Sequence, residues 1–137
     1  MTSAIFVDTS GLYAALVKND EMHEEAGAFL RGAAELRTLF VTTDYVLDET
    51  ATLLKARRHS HLVTVLIEVI FSSAACQVEW MDRERFEHTL RFFGKHQDKA
   101  WSFTDCFSFL LMKERKIREA LTKDEHYRQA GFRPLLV

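Results

Sequence analysis

The sequence predicts an α/β fold: a mainly parallel central sheet flanked by helices, in a single domain over residues 1–137. Three observations predict it. Short runs of consecutive apolar residues read as strands buried on both faces. The segments between them carry apolar or small residues at helical spacing. The two kinds alternate along the chain with no Pro/Gly/Ser linker, since the five glycines are scattered and the only proline is Pro134.

Ala4 to Val7 is apolar at every position and forms the first strand. Asp8-Thr9-Ser10 stops it and can cap a helix that starts near Gly11. Between Glu21 and Leu36, the residues Met22, Ala26, Phe29, Leu30 and Ala33 repeat at helical spacing. Leu39 to Thr42 is a short strand, after which Asp44 caps a helix running to about Arg58. Leu62 to Ser73 reads as a more buried helix, Cys76 to Met81 as a strand, and Arg83 to Lys95 as an amphipathic helix. Thr104 to Arg115 is a helix with a strongly apolar face. A strand over Ile117 to Thr122, a brief helix over Glu125 to Ala130 and a weak strand over Leu135 to Val137 complete the chain.

The chain has 137 residues, with 18 basic against 20 acidic side chains, a formal charge of −2. That balance excludes a uniformly basic nucleic-acid wrapper and an acidic tail protein, but leaves room for a local basic patch. Cys76 and Cys106 form no CxxC pair, so a cysteine-rich zinc site and a disulfide scaffold are excluded. They read as small buried thiols in a reducing compartment. The most apolar long stretch, Leu62 to Phe71, is short, carries Glu68 and falls below the roughly 20 residues of a membrane span. The N-terminus lacks the basic region of a signal peptide. A cytoplasmic protein without membrane attachment is the expectation.

Parallel sheets place their sites outside the carboxyl ends of the strands. That rule selects Asp8, which ends the first strand, and Asp124, which follows the strand ending near Thr122. Two further acids fall on apolar helix faces. Glu49 has Val46 and Leu53 as helical neighbours, and Asp105 has Phe109 and Met112. Asp48, flanked by Asp44, Tyr45, Ala51 and Thr52, faces solvent instead. Burying an unpaired carboxylate costs several kcal/mol or forces protonation, and a divalent cation removes that cost.

Each acid also has a purely structural reading. Asp8 and Asp124 can cap the helices that follow them, Asp105 can complete a capping box with Ser102, and Glu49 can pair with a core arginine. Taken together, two acids at strand ends and two on inward faces suit a hard, oxygen-seeking ion, Mg²⁺ or Mn²⁺ rather than zinc. Hydroxyls stand beside them: Thr9 and Ser10 near Asp8, Thr50 near Glu49, Thr104 near Asp105 and Thr122 near Asp124. These can orient carboxylates or hold water.

Four blocks resemble the PIN domain family, and within it the VapC-type toxin ribonucleases. They are Phe6-Val7-Asp8-Thr9-Ser10-Gly11-Leu12, Val46 to Leu54 around Asp48-Glu49-Thr50, Ser102-Phe103-Thr104-Asp105-Cys106-Phe107-Ser108-Phe109, and Ala120 to Tyr127 continuing into Gln129-Ala130-Gly131-Phe132. The resemblance runs from end to end in the family's order. It implies a PIN-like three-layer fold and a site formed by Asp8, Glu49, Asp105 and Asp124. The first three match the family's metal-binding core, whereas the fourth position varies more. Tyr127 stands where many relatives carry Phe.

The activity implied is a Mg²⁺- or Mn²⁺-dependent endoribonuclease, the toxin of a type II toxin–antitoxin pair, leaving a 5′-phosphate and a 3′-hydroxyl. Ser10, Thr104 and Thr122 would support the acids or position substrate. Lys55, Arg57, Arg58 and His126 are candidates for contact with RNA phosphates, and Lys113, Arg115, Lys116 and Arg118 form a second basic group; each run also reads as a solvated face. Trp101 is a candidate for base stacking or for the core. The resemblance further implies a homodimer and a cognate antitoxin, with Met22, Phe29, Leu30 and the Leu62–Phe71 helix as available apolar surface. A PIN-like module that binds RNA or protein without cutting is the alternative. A haloacid dehalogenase-type phosphotransferase would need Asp-x-Asp-x-Thr, and residue 10 is Ser. The acid pair and late lysine of a receiver domain do not line up.

Overall fold

β1 (Ala4–Val7) lies at the centre of a five-stranded sheet of order β3-β2-β1-β4-β5, with every neighbouring pair parallel. The structure is a computed structural model and describes residues 3–136. From β1 the chain runs through α1 (Thr9–Leu16) and α2 (His23–Glu35) to β2 (Leu39–Thr43). It continues through α3 (Asp44–Ala56) and α4 (His61–Ser72) to β3 (Cys76–Glu79). Then α5 (Arg83–Lys95) and α6 (Phe103–Glu114) carry it back across the sheet to β4 (Glu119–Leu121), on the other side of β1. α7 (Glu125–Gln129) leads to the edge strand β5 (Arg133–Pro134). The reversal puts a topological switch between β1 and β4, where open parallel sheets hold their sites.

Phe6 and Val41 are fully buried because central strands are covered on both faces. The core between sheet and helices is filled by Leu54, Leu66, Phe109, Met112 and Leu121 among others. Trp101 joins it: its ring meets Phe109 edge-on at 5.1 Å and its indole N–H donates to Gln129 Oε1 at 3.0 Å, so it is a core residue rather than a stacking platform. Both cysteines are free, Cys106 buried and Cys76 half-buried. Among the described residues no helix is long and apolar enough to cross a membrane.

Several boundaries differ from expectation. α1 starts at Thr9, immediately after Asp8. α3 is capped by Thr43, whose hydroxyl accepts from Val46 N–H at 3.0 Å; Asp44 instead accepts from Met81 N–H, 37 residues away. α4 is less buried than its composition suggests, for it buries Leu66 and Ile70, packs Leu62 and Val63 only partly against the core, and leaves Val65, Ile67, Val69 and Phe71 exposed. β4 is shorter than Ile117–Thr122 because Ile117 N–H closes the end of α6 on Met112 O, at 2.8 Å. The last strand precedes the expected one. Pro134 has no N–H, so the amides on either side of it, Arg133 and Leu135, carry the ladder to Arg118 and Ala120, as suits an edge strand. Of the expected Leu135–Val137 strand, Val137 lies outside the described residues.

Three helices end in Schellman turns with a cation in the left-handed position normally given to glycine. Arg37, Arg58 and Lys116 have φ of 56°, 65° and 58°. After α3, for example, Arg58 N–H bonds Lys55 O and His59 N–H bonds Leu54 O. The cations sit favourably at helix C-termini, but the backbone is strained. Lys116→Gly is therefore expected to raise stability by about 0.5–1 kcal/mol, as relief of left-handed strain outweighs the added freedom of the unfolded chain. Urea unfolding of the two proteins checks it.

Gly11 answers to a different constraint. A Cβ there would lie 2.1 Å from the backbone oxygen of Leu121. The first turn of α1 presses directly on β4, and this contact sets the distance between the ends of β1 and β4.

Candidate active site

Asp8 stands at the N-cap position of α1 but makes no side-chain cap; the capping reading fails. Its carboxylate turns toward β4 and accepts from Thr122 Oγ1 at 2.9 Å. Thr122 has spent its proton on Asp8, so Ser10 donates to Thr122, at 3.0 Å. Thr122 Oγ1 also accepts from Asp124 N–H, and Ser10 Oγ accepts from Lys123 N–H, both at 3.0 Å. Ser10 and Thr122 thus tie the end of β1 to the loop after β4, and of the two only Thr122 bonds a carboxylate.

Asp105 is both a cap and a member of the cluster with Asp124 and His126. Ser102 and Asp105 form the expected capping box: Asp105 N–H donates to Ser102 Oγ at 3.0 Å, and Ser102 N–H to Asp105 Oδ2 at 3.1 Å. The same carboxylate faces α7. Asp124 caps α7 through His126 N–H at 2.9 Å, as expected, yet its carboxylate also joins the cluster. His126 Nδ1 lies 3.1 Å from Asp105 Oδ2 and 3.4 Å from Asp124 Oδ1. Carboxylates only accept, which assigns the proton of this imidazole to Nδ1.

Ligand atoms of Asp105, Asp124 and His126 all lie within 4.8 Å of one another. The histidine expected to touch RNA phosphate is thus inside the acid cluster. The sequence carried one signal for it, the Asp-x-His spacing of an Asx turn.

Glu49 departs from expectation in its surroundings. It is exposed rather than turned inward, because the buried stripe of α3 is Val46, Leu47, Thr50 and Leu54. Among the described residues it has no arginine partner; instead Thr9 Oγ1 donates to Glu49 Oε1 at 2.6 Å. Glu49 is thus tied to Thr9, one residue after Asp8, and lies outside the group formed by Asp105, Asp124 and His126. Two expected hydroxyls play other parts. Thr50 bonds back to Val46 O at 2.7 Å, and Thr104 makes no side-chain hydrogen bond to Asp105 among the described residues.

Lys55, Arg57 and Arg58 are exposed at the C-terminal end of α3, about 9–14 Å beyond Glu49 along the helix axis at 1.5 Å per residue. Arg57 lies over the Tyr13 ring, 5.2 Å from its centroid. In the second basic group, Arg115 is committed to β3, bonding Glu79 at 2.6 Å and Gln77 at 2.8 Å.

Electrostatically the site is a set of acids whose one basic neighbour is the His126 imidazole among the described residues. Asp8 is 5% exposed and Asp105 8% exposed. Burial pushes the Asp8 carboxyl up to about 7, against the pull of the Thr9 N–H and the Thr122 hydroxyl, with the charge of Asp105 adding to the rise. Burial also raises Asp105, and the charge of Asp124 raises it further. Burial and then the Asp105 charge push Cys106 to about 11, so it remains an inert thiol. No Lys or Arg nitrogen among the described residues comes within 4.0 Å of Asp8, Glu49, Asp105 or Asp124. Asp105 and Asp124 together, with the charge of Asp8 felt at Asp105 and no thiolate among them, form an oxygen-rich set that fits a hard divalent cation.

Comparison with known proteins gives a consistent picture. The PIN domain family matches residues 5–133. The 23S rRNA-specific endonuclease VapC20 of Mycobacterium tuberculosis is 33% identical over 128 residues, covering 93% of this chain and 95% of the relative, in both the CDC 1551 / Oshkosh and the H37Rv strains. The crystal structure of M. tuberculosis VapC20, described as a sarcin–ricin loop cleaving toxin, superposes with a TM-score of 0.83 at 27% identity, covering 93% of this chain and 95% of that one.

Proposed function

Because this chain belongs to the PIN domain family, we propose that it is a divalent-metal-dependent endoribonuclease acting as the toxin of a toxin–antitoxin pair. One observation carries the reading: two buried carboxylates, Asp8 and Asp105, stand at the switch point of a parallel sheet with no Lys or Arg beside them among the described residues. Asp8, Glu49, Asp105 and Asp124 would hold Mg²⁺ or Mn²⁺. A bound divalent ion supplies charge neutralisation at the phosphate oxygens and eases deprotonation of water.

The chain's own residues do the rest. Thr122 fixes one oxygen of Asp8 and Ser102 N–H fixes one of Asp105, so both carboxylates meet their charge partner with little reorganisation. The Nδ1–H of His126 sits between Asp105 and Asp124 and leaves its Nε2 available toward substrate or water. Water attacks phosphorus, the bond to the 3′ oxygen breaks, and that oxygen takes up a proton, giving a 5′-phosphate and a 3′-hydroxyl.

The substrate is 23S ribosomal RNA at the sarcin–ricin loop, by extension from the relative described as cutting there. A loop suits an open edge such as this, since its bases are accessible. Lys55, Arg57 and Arg58 would meet phosphates flanking the cut. The protein acts in the cytoplasm, where ribosomes are, as one domain over residues 1–137. Two exposed apolar strips accommodate two protein partners, an antitoxin and a second copy. One strip is Val65, Val69 and Phe71 on α4 with Trp80, and the other is Phe86, Leu90 and Phe93 on α5.

The test is incubation of the purified chain with intact ribosomes and Mg²⁺ or Mn²⁺. A single 23S rRNA fragment pair, lost on adding EDTA, is expected. Cleavage undiminished by EDTA refutes the metal site. RNA binding without cleavage under either ion favours a non-cutting module.

A further inference from the structure

Tyr127 is buried completely, 0% exposed, and its hydroxyl oxygen has no hydrogen-bond partner among the described residues. Buried polar atoms are rarely left so, and one beside a site of function calls for a reason. The ring cannot turn away. It packs 6.3 Å from Phe6, two residues before Asp8, and edge-on 4.9 Å from Phe109, four residues after Asp105. α7 holds it from the third side, with Tyr127 N–H on Asp124 O at 3.2 Å and Phe132 N–H on Tyr127 O at 2.9 Å. The ring is therefore wedged between the three elements that deliver Asp8, Asp105 and Asp124.

The Asp8 carboxylate and the Ser108 hydroxyl neighbour the Tyr127 hydroxyl without a hydrogen bond to it in this structure, and the charge of Asp105 is also felt there. Ser108 has already donated its proton to Thr104 O, at 3.0 Å. It can only accept, and weakly, so the Asp8 carboxylate is the strongest acceptor within reach of the Tyr127 proton.

We propose that Tyr127 is a positioning residue for Asp8, its water-excluded hydroxyl steadying the carboxylate from the core side while Thr122 fixes it from β4. This rests on the reading of Asp8 as an ion ligand. A phenylalanine would fill the same space and leave Asp8 held by Thr122 and the Thr9 backbone alone. The hydroxyl contributes nothing to packing; its effect is on the ion.

The test is Tyr127→Phe in the full chain, with Mn²⁺ alone as the probe. Calorimetric titration is expected to show Mn²⁺ affinity weakened about 10-fold, the usual scale for loss of a group that orients an ion ligand. The melting temperature of the metal-free protein is expected to stay or rise, since an unpaired buried hydroxyl has been removed. The same change is then made in Asp8→Asn, where no further loss of Mn²⁺ affinity is expected. Unchanged affinity for Tyr127→Phe while Asp8→Asn abolishes binding overturns the positioning role alone. An equal loss in both backgrounds also overturns it, because the effect would not pass through Asp8. If Asp8→Asn itself leaves Mn²⁺ binding intact, the ion-site reading and this proposal fall together.

Discussion

Asp8→Asn is expected to abolish RNA cleavage while making the metal-free protein more stable. Loss of one ion ligand removes several kcal/mol of charge stabilisation in the transition state, a fall of at least about 10³-fold in rate. The gain in stability has the same origin as the loss of activity. Asp8 is 5% exposed and its carboxyl is pushed up to about 7, against 3.8 when free. A carboxyl whose folded pKa exceeds its unfolded value binds more protons in the folded state, so its contribution to stability falls as pH rises from about 4 to about 7. Above that window the ionised group costs on the order of 4 kcal/mol, at 1.36 kcal/mol per unit.

Asparagine keeps the shape and escapes that cost. Urea unfolding of the metal-free proteins should therefore show a large advantage for Asp8→Asn at pH 8 that nearly vanishes at about pH 4. A wild type as stable as the variant at pH 8 would refute the buried-charge account. Asp105, also raised by burial, should add a dependence of the same sign.

Gly11→Ala is expected to unfold the site rather than adjust it. The new methyl would stand 2.1 Å from Leu121 O and 2.9 Å from Leu121 C, atoms of a central strand that cannot swing aside as a flexible side chain does. Overpacking of this kind costs about 1–3 kcal/mol, and a clash with sheet backbone belongs at or above the upper end. Relief requires α1 to lift from β4. That movement separates Ser10 from Thr122 and Lys123, now 3.0 Å apart in both cases, and with them Asp8 from Asp124. Urea unfolding should show destabilisation of about 3 kcal/mol or more. Mn²⁺ affinity should drop even at temperatures where the variant remains folded. A variant with wild-type stability would show that the β1–β4 spacing yields more readily than the geometry implies.

The features legible in the sequence are those written within a few neighbouring residues. Alternating apolar strands and amphipathic helices announce the layered α/β fold, since burial on both faces demands consecutive apolar residues. The Ser102–Asp105 capping box and the Asp124 cap span three residues or fewer and close through local backbone geometry. The rule for parallel strands puts Asp8 and Asp124 at one edge from strand order alone.

What only the tertiary structure decided are the contacts between distant segments. Thr122 meets Asp8 across 114 positions, Thr9 meets Glu49 across 40 and His126 meets Asp105 across 21. Glu49 shares helical spacing with Val46 and Leu53, but which side of α3 is covered depends on where α1 lies. Tyr127 reads as one more core aromatic until its ring is found wedged between Phe6 and Phe109, on the strand and helix that carry Asp8 and Asp105. Periodicity sets which residues share a face; only the packing of one element on another, and the order of strands in the sheet, sets what that face meets.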